Sequence, residues 1–192
     1  DAPGSNTPPE RSRNLELGAK LDSASGLATL RLALFHATKY NERNRDEESV
    51  NATNYLLSGQ RHAAGLEIDI AGRITPDWEV FGSYAWIPSA EIDKGASTVQ
   101  FALQGEIEGQ RPGLTPRHSG TIWTTYKLTP KLRVGGGLNA RSSDSPQQSG
   151  VVAPHFITGD LMAEYDAGAV SFKANLSNVS NELYADMLYR GH

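Results

Sequence analysis

Residues 121–142 read "TIWTTYKLTPKLRVGGGLNARS", two alternating runs joined by a Thr-Pro pair. From position 132 onward, Leu132, Val134, Leu138 and Ala140 point one way, while Lys131, Arg133, Asn139 and Arg141 point the other. Period-two alternation predicts a β-strand with one apolar and one polar face. In a soluble sheet the apolar face lies against a core. In a membrane barrel it meets lipid and the polar face turns inward. Alternation alone does not decide between them.

The same period recurs along the chain. Strand-like segments fall at 15–22, 27–41, 55–74, 78–93, 117–128, 131–143, 155–166 and 169–182, and no helical period of comparable length is present. Leu30, Leu32 and Leu34 oppose Thr29, Arg31 and Ala33; Leu66, Ile68 and Ile70 oppose Glu67, Asp69 and Arg73; Trp78, Val80, Tyr84 and Trp86 oppose Glu79 and Ser83. Toward the end, Ile157, Leu161, Ala163 and Tyr165 oppose Thr158, Asp160 and Glu164, and Val170, Phe172, Ala174 and Leu176 oppose Ser171, Lys173 and Asn175.

The connections alternate between short and long. "SASG" (23–26), "TPD" (75–77), a Thr-Pro pair (129–130) and "AG" (167–168) are tight; the stretches around "NERNRDEESVNATN" (41–54), 94–116 and "SDSPQQSGVVAP" (143–154) are long and polar. Tight turns at one end and long loops at the other describe an up-and-down antiparallel meander with unlike rims, as in outer-membrane barrels. The segments also exceed the usual soluble strand of about five or six residues. Trp78 just after a turn, and Tyr126 and Tyr165 just before one, mark one interfacial belt; Tyr84 and Trp86 lie near the other. These features together place lipid on the apolar side. A soluble β-sandwich with core aromatics is the weaker alternative.

Composition is consistent with this. The 192 residues carry a net charge of −4 and no basic stripe, so no nucleic-acid partner is expected. Mean hydropathy is −0.45, the weak signal of strands that give only alternate residues to lipid. No apolar run approaches the roughly 18 residues of a spanning helix. Cysteine is absent, which removes disulfides, thiolate metal sites and thiol nucleophiles. The opening "DAPGSNTPPERSRN" (1–14) lacks a charged-then-apolar start, which fits either mature-protein numbering or an internal piece of a longer protein.

Several segments resemble TonB-dependent outer-membrane receptors. They are "ERSRNLELGAKLD" (10–22), "ALFHATKYNER" (33–43), "GQRHAAGLEIDIAGRITPDWEVFGSYAW" (59–86), "TPRHSGTIWTTYKLTPKLRVGGGL" (115–138) and "LSNVSNELYAD" (176–186), in the family's order along nearly the whole chain. The closing "YADMLYRGH" (184–192) is most similar to the catecholate-type siderophore receptors of that family. The resemblance implies an all-β, transmembrane, antiparallel up-and-down β-barrel of about 22 strands, plugged by an N-terminal domain. This chain would supply about eight of those strands, as part of the C-terminal barrel domain without plug or final strand. The implied function is import of ferric siderophores across the bacterial outer membrane, energised by TonB through the missing N-terminal region. Expected partners are the ferric siderophore, TonB and outer-membrane lipid. A complete eight-stranded barrel serving as anchor or adhesin is the alternative. Its lumen would need bulky filling, and the inward set here is rich in Thr, Ser, Gly and Ala.

No catalytic constellation is evident from sequence. His36, His62, His118, His155 and His192 lack ligand spacing and read as rim or interfacial residues, so neither a metal site nor a cofactor is expected, iron arriving only as cargo. Glu67 and Asp69 read as a lumenal charge network with Arg73. Glycines 135–137 interrupt a strand and read as a bend or a close approach by another domain. Ligand contact is expected from the long loops and upper lumen. There, aromatic rings and guanidinium groups suit a bulky, often anionic chelate. Tyr40, Arg43, Tyr55, Phe101, Arg111, Tyr189 and Arg190 are the candidates.

Overall fold

The computed structural model describes residues 9–48, 50, 55–97, 107–145 and 151–185. Eight strands form one antiparallel sheet in sequence order: β1 (Arg11–Asp22), β2 (Ala28–Arg45), β3 (Tyr55–Thr75), β4 (Trp78–Lys94), β5 (His118–Thr129), β6 (Leu132–Arg141), β7 (Phe156–Asp166) and β8 (Ser171–Leu176). No described residue is helical. Each neighbour pairs only with its neighbour, and β1 and β8 do not pair with each other, so the sheet is open. The described strands are therefore a section of a wider wall, not a closed eight-stranded barrel.

Register settles which residues share a face. Leu17, Leu34, Leu66 and Trp86 form one row across four strands, and Ile70, Gly82, Ile122 and Leu138 another. Arg31, Asp69 and Ser83 lie in a row on the opposite side. The apolar rows have no second layer against them: Leu17 is 73% exposed, Phe172 63% and Ile157 60%. The buried apolar side chains are instead Ile92, Ala96, Ala153, Phe156 and Met162, which lie on the opposite, inward face or in the loops. This reverses an ordinary globule. Leu66, Ile68, Ile70 and Val134 point out of the sheet, as lipid-facing residues must.

The belts emerge from pairing. Trp78 stands opposite Tyr126 and Tyr165 opposite Phe172 at the short-turn end. The Trp78 indole Nε1 donates to Thr124 Oγ1 at 2.7 Å, which satisfies its one polar atom beside lipid. Nearer the long loops, the Tyr84 hydroxyl and His118 Nδ1 are 2.7 Å apart, and the Trp86 and His118 rings stack with centroids 6.5 Å apart.

Boundaries depart from expectation by four residues or more at three places, and at one of them β2 runs on to Arg45 and not to 41. β1 begins at Arg11, four residues before the alternating run, because pairing with Lys39 and Tyr40 extends it through polar "RSRN". β8 stops at Leu176 and not at 182. Asn178 (φ 49°) and Asn181 (φ 52°) adopt left-handed backbone that a strand does not tolerate. The Asn178 side chain accepts from Glu182 N at 3.0 Å, closing a local turn. On β6, the inward side of Gly137 is occupied by a neighbour: a Cβ there would lie 2.5 Å from Cε3 of Trp123.

Candidate functional site

The inward face carries its polar groups in connected sets. On β2, Asn41 takes a left-handed conformation (φ 57°) and the register slips between Tyr40 and Glu42. That slip sets Glu42 beside Lys39 and Arg61. Arg61 Nε donates to Glu42 Oε2 at 2.6 Å, and Lys39 Nζ lies 3.0 Å from Glu42 Oε1 and 2.9 Å from Glu10 Oε2. Further round, Thr121 Oγ1 donates to Asn139 Oδ1 at 2.7 Å, and Asn139 Nδ2 donates to Asp160 Oδ2 at 3.1 Å. The other Asp160 oxygen accepts Asn178 N at 2.7 Å. A hydrated lumen tolerates such a wall; a lipid face does not.

Beyond β8 the chain turns over the mouth of β6 and β7. Val179 N donates to Gly159 O at 2.7 Å, and Arg141 Nη2 donates to Ala185 O at 3.0 Å. The Tyr184 ring packs on buried Phe156 with centroids 4.4 Å apart, and the Arg141 guanidinium lies 5.4 Å over the Phe156 ring. Aromatic and guanidinium surfaces thus meet at the loop end of the lumen.

The candidates named from sequence do not converge. Tyr40 is in register with Arg11 and Gln60 and shares the outward face with His36 and Leu34. Arg43 is exposed near the top of β2, and Tyr55 opens β3 opposite Arg45. Phe101, Tyr189 and Arg190 lie outside the described residues. Arg111 acts within its own loop: Nε donates to Thr115 O at 2.7 Å, and Nη2 to Ile87 O at 2.6 Å and Pro116 O at 3.5 Å. Burial, then the nearby Arg117 charge, hold its pKa below the usual arginine value. The inward sets at Lys39–Glu42–Arg61 and Thr121–Asn139–Asp160 escaped the sequence reading. Counting strand register back from the tight turns is the signal that would have found them.

One contact joins two long loops. Glu47 accepts from Ser97 N and Ser97 Oγ, each at 2.6 Å. These two bonds hold the Glu47 carboxyl below its ordinary pKa. A depressed carboxylate contributes its stability above the unfolded pKa and loses it as pH falls through the folded one. Hydrogen exchange at 95–97 is therefore expected to rise as pH falls through and below the ordinary glutamate range. The Ser97→Ala variant, lacking the side-chain donor, should show faster exchange already at neutral pH. Pulse-labelling mass spectrometry checks both.

A family model described as "TonB dependent receptor-like, beta-barrel" matches residues 2–181, and the chain belongs to that family. The chain is 29% identical, over 96% of its length, to the probable TonB-dependent siderophore receptor PiuA of Acinetobacter baumannii, covering 25% of that protein. It is 28% identical to the catecholate siderophore receptor Fiu of Escherichia coli K12, across 96% of this chain and 24% of Fiu. The closed form of Fiu superposes with a TM-score of 0.78 at 26% identity, covering 96% of this chain and 25% of that one. The Pseudomonas aeruginosa receptor FpvA superposes at 0.75 with 22% identity, covering 93% of this chain and 24% of that one, a likeness of fold. The chain thus spans about a quarter of the length of these relatives. Its sheet is a section of an outer-membrane receptor barrel, and the family is one of transport receptors.

Proposed function

We propose that residues 1–192 belong to the C-terminal barrel domain of a ferric-siderophore receptor energised through TonB. The observation that carries this reading is the inverted sheet, apolar and uncovered outside, hydrogen-bonded and charged inside. Such a wall suits a wide hydrated passage. The names of PiuA and Fiu, siderophore receptors both, point to the cargo class. Iron arrives already chelated, so the passage needs neither a resident metal nor a catalytic group of its own. Tyr184, seated on buried Phe156 and flanked by Arg141, offers an exposed ring to an aromatic chelate at the mouth. Arg111 would contribute by holding its loop in shape.

The test uses the full-length receptor with a panel of ferric catecholates and hydroxamates. Binding of at least one, with cellular uptake abolished when TonB is deleted, is the expected result. Arg111→Ala removes three donor contacts from a half-buried loop and is expected to weaken binding about tenfold. Tyr189→Ala tests one of the two candidates near the end of the chain, Tyr189 and Arg190. Unchanged affinity in both variants removes these loop assignments; no uptake of any ferric chelate removes the transport reading itself.

A further inference from the structure

A second constellation lies on the outward face, away from the lumen. His62 of β3 stands opposite Glu91 of β4. The register shift between Ala64 and Leu66 brings Ser89 to one side of the imidazole and Asp93 to the other. His62 Nε2 is 3.1 Å from Ser89 Oγ, and His62 Nδ1 is 2.7 Å from Asp93 Oδ1. A supporting shell holds the two orienting groups. The His36 ring stacks on His62 with centroids 5.7 Å apart and planes 6° apart, and Gln60 Nε2 reaches Asp93 Oδ2 at 3.5 Å. Ser89 itself is exposed. Hydroxyl, imidazole and carboxylate in this order are the nucleophile, general base and orienter of an acyl-transfer triad, which is recognised by geometry and not by chain order.

Depth selects the substrate. His36, Ala64 and Ser89 form the row immediately above Leu34, Leu66 and Trp86. Trp86 and Tyr84 mark the interfacial belt, so Ser89 lies where lipid tails join their polar heads. That is the level of the acyl ester bonds of the outer leaflet. The bulge that brings the groups together sits at Gly65, where a Cβ would strike the Trp86 carbonyl.

We propose that Ser89, His62 and Asp93 form a serine-hydrolase triad directed at acyl esters of outer-leaflet lipids. His62 carries its proton on Nδ1, donated to Asp93, and accepts the Ser89 hydroxyl proton on Nε2. Ser89 Oγ bonds to the ester carbonyl carbon. The carbon–oxygen bond to the lipid alcohol then breaks, and the alcohol departs with the proton from His62. Water, deprotonated by His62, adds to the acyl-serine; fatty acid leaves and Ser89 recovers its proton. Dipoles aimed at the developing oxyanion are the largest contribution in fast hydrolases. The Arg117 guanidinium beside Ser89 is engaged by Pro88 O at 2.9 Å, so turnover is expected to be slow.

The test uses full-length receptor reconstituted in vesicles carrying a fluorescent-acyl phosphatidylethanolamine, together with a fluorophosphonate probe. Expected results are probe attached to Ser89 by mass spectrometry, slow release of labelled fatty acid, and loss of both in Ser89→Ala. His62→Ala should slow labelling roughly 100-fold. Ser89→Ala changes one exposed hydroxyl, and its unaltered ferric-chelate binding reports that it has folded. Absence of label, or label that persists in Ser89→Ala, overturns the triad. Label without fatty-acid release, or cleavage of a soluble p-nitrophenyl ester alone, overturns the lipid substrate.

Discussion

Arginine at Ile70 is expected to destabilise the folded protein in lipid by about 2–4 kcal/mol. Arginine at Glu67, three positions away on the other face, should shift stability by less than about 0.5 kcal/mol. Ile70 of β3 stands between Leu30 and Gly82 on the outward side, and Gly82 lies midway along β4 between Trp78 and Trp86. A guanidinium there must be desolvated or drag water into the hydrocarbon. Glu67 faces the inward side with Ala33 and Ala85, where charge is already hydrated. Urea unfolding of the full-length receptor in thin-bilayer vesicles, followed by tryptophan fluorescence, measures both. Equal effects at the two positions would contradict the assignment of faces, and with it the membrane reading.

The second large effect concerns the hairpin floor. Gly72 has φ 134°, a conformation that side-chain-bearing residues rarely adopt. A Cβ at this position would overlap the Leu27 carbonyl oxygen and approach Ala28 Cα to 2.5 Å. That carbonyl also accepts from Arg73 N at 2.8 Å, so it cannot retreat without losing the bond that ties β3 to the β1–β2 turn. Gly72→Ala is expected to cost more than about 3 kcal/mol, strain and a lost backbone bond together. Gly26 is the control. Its φ is 69°, but nothing lies within 4 Å of an added Cβ, so Gly26→Ala should cost only about 1 kcal/mol. The heat-modifiable fraction after refolding distinguishes the two; equal yields would show that the floor gives way easily.

The strands and their faces were legible because a strand exposes alternate residues, and Leu66, Ile68 and Ile70 alternate with Glu67 and Asp69 whatever the surroundings. The start of β1 was not. "RSRN" does not alternate in polarity, and its strand conformation is imposed by β2. The end of β8 was set too late: the positions in phase with Phe172, Ala174 and Leu176 are Asn178, Ser180 and Glu182, so the apolar alternation stops there and two asparagines turn the backbone. The candidate site was harder to read. Lys39 and Arg61 are 22 positions apart, and Ser89 and His62 are 27 apart. Each pair meets only through register, and the latter needs a bulge whose sequence signals are Gly65 and Pro88. No catalytic constellation was evident from sequence because Ser89, His62 and Asp93 come together only across paired strands. Tyr40 was named for ligand contact from its residue type and its place beside a long loop, whereas register sets it on the outward face with Leu34.

The height of the central hairpins has a mechanical consequence. β3 runs for 21 residues, about 70 Å of chain at roughly 3.3 Å per residue. Tilted by about 40°, it rises some 50 Å, twice the apolar band of about 25 Å. The part of β3 above the headgroups, toward Tyr55, is a stiff chimney standing clear of the bilayer. Anything descending it is committed to the shaft well before it reaches the depth of the lipids.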